Sequence, residues 1–217
     1  MYKNNLKSVI QHLTSQGYQI SCVFDVGAHS GKWTQLYEKL LPNSKFILFE
    51  PIQRIPNTIE HKSFKVLLSD KSGETIAFYS ISGTGDSYYK EDTKVYDKCN
   101  VIKFTAYTLD DLIEIHNIPL PQLIKLDTQG SELDILKGAT RAIKSVDILI
   151  TEIAVLPYNI GAPTFTDYIE YLTNLNFIPV GLEKIHIIDN SLVQVDLVFL
   201  RKHIKDQYYG SNKLIKF

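Results

Sequence analysis

Apolar residues along this chain alternate between two periods. Leu6, Val9, Ile10 and Leu13 fall at i, i+3, i+4 and i+7, which predicts an amphipathic helix that Gly17 is placed to end. Cys22-Val23-Phe24 is a short apolar run, read as a buried strand, and Trp33, Leu36, Tyr37, Leu40 and Leu41 return to helical spacing. The pattern repeats. Strands are predicted over 45–49, 64–68, 123–126 and 146–153, and later over 177–180, 185–188 and 195–200. A helix starts at Thr108, a second after Gly130, and a third carries Phe165, Ile169, Leu172 and Leu175. Residues 52–62 are polar and contain Pro56, so a short or broken helix is expected there.

Strands alternating with helices through the first five units predict an α/β fold, a mostly parallel sheet with helices on both faces. The late strands, joined near Asp189-Asn190-Ser191, predict an antiparallel edge. Two further runs, Thr75–Tyr79 and Asn100–Ala106, read as an inserted pair of strands. Between them lies Ser82-Gly-Thr-Gly-Asp-Ser-Tyr-Tyr-Lys, either a solvated loop or a mobile one beside a ligand. No repeat or linker divides the chain. It reads as one domain over 1–217, with an N-terminal helix in 1–20, the insert in 74–106 and a tail in 202–217 that suits surface or terminal packing.

Charge narrows the partners. Lysine and arginine number 23 against 24 acids, a net −1, which argues against nucleic-acid binding through a large basic surface. Two cysteines, Cys22 and Cys99, cannot build a disulfide framework or a four-thiolate zinc site. Met-Tyr-Lys-Asn-Asn-Leu lacks the apolar centre of a signal peptide and no run approaches a membrane span, so a cytoplasmic home is expected.

The chemistry concentrates where strands end. Asp25, Glu50, Asp70, Asp127 and Glu152 each follow or close a predicted strand, where open α/β sheets bind their ligands. Residues 22–31, Cys-Val-Phe-Asp-Val-Gly-Ala-His-Ser-Gly, form a strand, a turn bracketed by Gly27 and Gly31, and the start of a helix. This is Asp-x-Gly-x-x-x-Gly, not the G-x-G-x-x-G of a dinucleotide site. Glu50, 19 residues beyond Gly31 and followed by Pro51, stands where doubly wound folds place an acid on ribose hydroxyls.

Val-Phe-Asp-Val-Gly-Ala-His-Ser-Gly (23–31) and Phe-Glu-Pro (49–51) resemble the S-adenosylmethionine-dependent methyltransferases of the Rossmann-like class I fold. Leu-Ile-Lys-Leu-Asp-Thr-Gln-Gly-Ser-Glu-Leu-Asp-Ile-Leu-Lys-Gly-Ala (123–139) is similar to the signature of one branch, the FkbM family. The resemblance implies that Asp25, Gly27 and Gly31 line the methionine end of S-adenosylmethionine and that Glu50 holds its ribose. It places Asp70 near the adenine, with Ala28, His29, Pro51, Ser69 and Asp127 completing the cofactor set. The family usually has Asn at the position of His29, which leaves the partner of His29 open, and often Glu at that of Gln129, which leaves an acidic role at that position open.

The implied reaction is O-methylation of a hydroxyl on a sugar, glycan or secondary metabolite. Alignment of oxygen, carbon and sulfur is then the main requirement, assisted by a general base. Asp127 is the first candidate base, Glu152 the second and His29 the third. A divalent ion on Asp127 and Glu152 would suit such a site, although no dedicated ligand motif is present and no metal is expected. The competing readings are a non-catalytic cofactor- or partner-binding module on the same scaffold and an NAD(P)-dependent reductase, the latter disfavoured by the glycine spacing. Neither the acceptor nor the oligomeric state is written in these motifs.

Overall fold

Every residue of the first strand, β1 (Cys22–Val26), is buried, because the sheet is covered on both sides. Cys22, Phe24 and Val26 point into one core and Val23 into the other. The computed structural model describes residues 5–210. The remaining strands are β2 (Lys45–Phe49), β3 (Lys62–Phe64), β4 (Leu67–Leu68), β5 (Thr75–Ser80), β6 (Asn100–Tyr107), β7 (Leu123–Leu126), β8 (Ile148–Ala154), β9 (Phe177–Ile188) and β10 (Ser191–Arg201). The helices are α1 (Leu6–Ser15), α2 (Lys32–Tyr37), α3 (Leu109–His116), α4 (Glu132–Lys137), α5 (Phe165–Asn174) and α6 (Lys202–Tyr209).

The main sheet has seven strands in the order β3-β2-β1-β7-β8-β10-β9. The first five run parallel, while β10 is antiparallel to both β8 and β9. Chain order reverses between β1 and β7, the switch point at which such sheets open a ligand crevice. One core joins the sheet to α3, α4 and α5; the other receives Leu6, Val9, Ile10 and Leu13 of α1, Tyr37 of α2 and Ile204 of α6. This is the predicted doubly covered α/β architecture with an antiparallel edge. Among the described residues no helix is long and apolar enough to cross a membrane.

Local chemistry sets the helix ends. Thr108 accepts a hydrogen bond from the Asp111 backbone at 3.1 Å and starts α3, and Asn117, at φ 47°, ends it in the left-handed region. Thr164 and Asp167 cap α5 reciprocally.

Three expectations are corrected. Residues 52–62 form no helix: Pro51 and Pro56 remove backbone donors, and the segment runs as bends into β3. The strand predicted over 64–68 is divided. Lys62–Phe64 pairs with β2, where Phe64 stacks on Phe49 at 5.5 Å, and Leu67–Leu68 crosses to pair with β6 in a small three-stranded sheet, β4-β6-β5. The segments 177–180 and 185–188 are one twelve-residue strand, β9, whose pairing with β10 is interrupted by register shifts. Within the described part of the tail, α6 packs on α1, with Tyr209 4.3 Å from the His12 ring.

Candidate functional site

A cavity of about 510 Å³ opens at the carboxyl ends of β1, β2, β7 and β8, in the range of small-molecule sites. Its first wall is the turn after β1. Gly27 has φ 71°, and a Cβ there would lie 1.9 Å from the Asp127 carbonyl oxygen. The two loops flanking the switch point touch backbone to backbone, so glycine is required by that approach. Gly27→Val is therefore expected to disrupt the cavity and lower thermal stability together. Normal melting with intact ligand binding would sink this account.

His29 follows in the left-handed region at φ 49°, a conformation that Asn, Asp and His enter more readily than most residues. This turn presents the His29 N–H to Glu50 Oε2 at 2.9 Å, while the Ile52 N–H donates to Oε1 at 3.1 Å. Burial raises the Glu50 pKa, and the two backbone donors oppose the rise. Each oxygen keeps a free lone pair. The result is a fixed acceptor pair at the end of β2. Burial and the Arg54 guanidinium hold the His29 imidazole below the usual histidine range.

Asp25 plays a different part. It is fully buried, accepts from Thr34 Oγ1 at 2.7 Å and pairs with Lys125 Nζ at 3.2 Å. Lys125 also donates to the Gly27 carbonyl at 2.9 Å and lies 3.5 Å from Asp127. Burial alone would push the Lys125 pKa down, but Asp25 and Asp127 outweigh it and hold it above the usual lysine range. A buried cation thus ties β1, β7 and both loops together.

Beyond β7, Gln129 sits at φ 57° and donates to Glu152 Oε1 at 2.6 Å and to Asp127 Oδ1 at 3.5 Å. Gln194 of β10 donates to the same Glu152 oxygen at 2.6 Å. Burial, then Asp127, Glu132 and Asp196, raise the Glu152 pKa well above the ordinary value. Glu132 holds the intervening turn: it accepts from the Thr128 N–H at 2.7 Å, the Gly130 N–H at 3.0 Å and the Tyr168 hydroxyl at 2.7 Å. Asp127 makes no such turn contact, and its side chain is 45% exposed.

The loop between β5 and β6 closes another side. Arg54 donates to the Gly83 carbonyl at 3.1 Å and pairs with Asp86, which also accepts from Ser80 and the Ile81 N–H. Phe49, Val66, Leu67, Leu68, Phe78 and Ile135 supply an apolar wall near Glu50. An apolar slot beside a carboxylate with two free lone pairs fits a nucleoside, a flat base and a ribose.

The sequence-predicted residues divide accordingly. Gly27, His29, Glu50, Pro51, Asp127 and Glu152 line the cavity. Asp25 and Ala28 are buried behind it, and Gly31 packs against Ile59 and caps α2. Ser69 and Asp70, just past β4, stand outside the wall that Leu67 and Leu68 form.

A sequence model of the methyltransferase FkbM domain matches residues 25–179. The chain belongs to the FkbM methyltransferase family. The hexuronic acid methyltransferase AglP of Haloferax volcanii is 26% identical over 155 residues, 68% of this chain. The chain spans 62% of that relative's length. Among solved structures, precorrin-6y C5,15-methyltransferase from Geobacter metallireducens overlaps 90% of this chain and 86% of its own, at 11% identity and TM-score 0.47. The N-methyltransferase NodS from Bradyrhizobium japonicum overlaps 90% and 93%, at 12% identity and TM-score 0.46. Family membership rests on the sequence match, not on these loose overlaps.

Several residues in or behind the cavity of this FkbM-family chain escape the strand-end rule. Lys125 is a lysine inside an apolar strand, a signal in itself, since buried lysine needs a carboxylate partner. Lys184, His186 and Gln194 sit on β9 and β10, where Lys-Ile-His and Gln-Val-Asp alternate polar with apolar. That alternation marks a strand with one polar face. Arg54 carries no local signal; the bends after Pro51 bring it to the cavity.

Proposed function

We propose that this protein transfers a methyl group from S-adenosylmethionine to a hydroxyl of an acidic sugar or of a glycan that carries one. The observation that carries the reading is Glu50, a largely buried carboxylate held by two backbone N–H groups at the cavity wall. In this reading Glu50 accepts the ribose hydroxyls, the slot around Leu67, Leu68 and Phe78 takes the adenine, and Gly27 and His29 border the methionine end. The donor supplies an electrophilic methyl group on a sulfonium. The chain's own task is to orient the acceptor and take its proton. Asp127 suits the second role, because it faces the cavity and is positioned by Lys125 and Gln129. Glu152, with one oxygen already accepting from two amides, suits it less.

The acidic acceptor is supported by Lys184. This cavity residue forms no ion pair among the described residues, so its charge is available to a ligand carboxylate. AglP, by its name, acts on a hexuronic acid. The test begins with the donor. S-adenosylhomocysteine should bind the native protein, and Glu50→Ala should weaken it by ~1.5–3 kcal/mol in calorimetry, the worth of charge-assisted hydrogen bonds. Methyl transfer from labelled donor to glucuronic acid-bearing glycans should then exceed transfer to neutral ones. Unchanged affinity in Glu50→Ala would remove the ribose assignment.

A further inference from the structure

Three side chains on adjacent strands meet beside the cavity, and two of them, Glu152 and His186, line it. Glu152 on β8 lies opposite Asp196 on β10 in the ladder, and His186 on β9 lies opposite Gln194. One ligand atom from each of Glu152, His186 and Asp196 falls within 4.8 Å of the other two. Donor atoms held ~2.1 Å from a common ion are ~3–4 Å apart, so a small contraction closes the set. We propose that Glu152, His186 and Asp196 form a site for one divalent transition-metal ion of the manganese or zinc type.

Two observations besides proximity support it. His186 Nε2 and Asp196 Oδ1 are both shut off from solvent, and neither has a hydrogen-bond partner among the described residues. Buried polar atoms are nearly always paired, so two orphans on residues of one three-residue cluster need an explanation. Lys184 stands opposite Asp196 in the ladder yet forms no ion pair with it. The second observation is the shell around the ligands. Gln129 and Gln194 both donate to Oε1 of Glu152, which fixes the carboxylate and leaves Oε2 free, as outer-shell partners do in metal sites.

The donor set chooses the ion. An imidazole with two carboxylates suits manganese, iron or zinc better than calcium or magnesium, which prefer oxygen alone. Local charge agrees: Asp127 and Glu132 add to Glu152 and Asp196, against Lys125 and Lys184. Glu152 and His186 line the cavity, so the ion's remaining positions would face it, where an acceptor oxygen could enter and be polarised. That use rests on the methyl-transfer reading; binding of the ion does not.

The test uses the full chain, stripped with EDTA and dialysed. MnCl2 is titrated in while free Mn²⁺ is followed by electron paramagnetic resonance, and ZnCl2 is added in competition. One Mn²⁺ per chain is expected, displaced by Zn²⁺. His186→Ala and Asp196→Asn should each weaken it by at least ~10-fold, as losing a supporting partner already does in known sites. His203→Ala, which removes an imidazole beside Asp147 on α6, should change nothing. Circular dichroism shows that the variants fold; if one does not, the other carries the comparison. An anomalous difference peak for manganese among the three side chains in a soaked crystal would support the site. No saturable binding, equal affinity in all variants, or a peak elsewhere would overturn it. S-adenosylhomocysteine calorimetry on the same stripped protein keeps failure of the metal site distinct from failure of donor binding.

Discussion

Asp127→Asn should lower methyl-transfer turnover by ~10²–10⁴-fold, the usual contribution of a general base, while donor affinity and melting temperature stay close to native. The structure makes this a clean test. Asparagine keeps the size of the side chain and removes its capacity to take a proton. A carboxylate here could instead have served only to brace the Thr128-Gln129-Gly130 turn, and its loss would then cost stability as well as rate. Glu132 occupies that structural role, accepting the Thr128 and Gly130 N–H groups. Asp127 has only the 3.5 Å contacts to Lys125 and Gln129, and a half-exposed side chain. Rate and stability therefore separate. Single-turnover transfer, calorimetry with S-adenosylhomocysteine and a melting curve on one preparation decide it. A folded, donor-binding variant with native turnover would pass the proton to Glu152 or His29.

Lys125→Met should act in the opposite way, on the fold before the chemistry. Asp25 is fully buried and Lys125 is the cation beside it. Taking one partner from a buried ion pair leaves an uncompensated charge, at a typical cost of ~3–5 kcal/mol. For a chain of this size that corresponds to a fall in melting temperature of ~6–20 °C. Lys125 also holds the Gly27 carbonyl, so donor affinity should fall in whatever protein remains folded. The double variant Asp25→Asn, Lys125→Met removes both charges and should recover part of the loss. A Lys125→Met protein that melts within a degree of native would show that the buried pair is not what joins the two loops.

Much of this was legible in the sequence. The parallel core could be read because its strands are short apolar runs and its helices carry one apolar face each. The strand-end acids could be read because the rule that ligands gather there depends on topology alone. What was hidden depended on contacts between distant segments. Asp25 is visible as a strand-end acid, but its pairing with Lys125, a hundred positions away, is not. The strand over 64–68 looks continuous because Phe64, Leu67 and Leu68 are all apolar, and only stacking on Phe49 shows where it leaves the sheet. Asp70 is one turn from the cavity in sequence and outside it in space. His186 and Asp196 lie on predicted late strands, but their meeting with Glu152 depends on a ladder register that bulges make unreadable from periodicity.

The divided third strand has a practical consequence for exchanging acceptor preferences between relatives. Only Lys65 and Val66 separate β3 in the large sheet from β4 in the small one, and Leu67, Leu68 and Phe78 face the cavity together. Excising residues 74–106 as a cassette would remove Ala106, the β6 partner of Leu67, together with Phe78, and open the apolar slot to water. The transplantable unit is smaller. Tyr79 and Ser87 bridge the neck of the loop with two backbone hydrogen bonds, so a graft limited to residues 81–86 would change the rim and leave the slot intact.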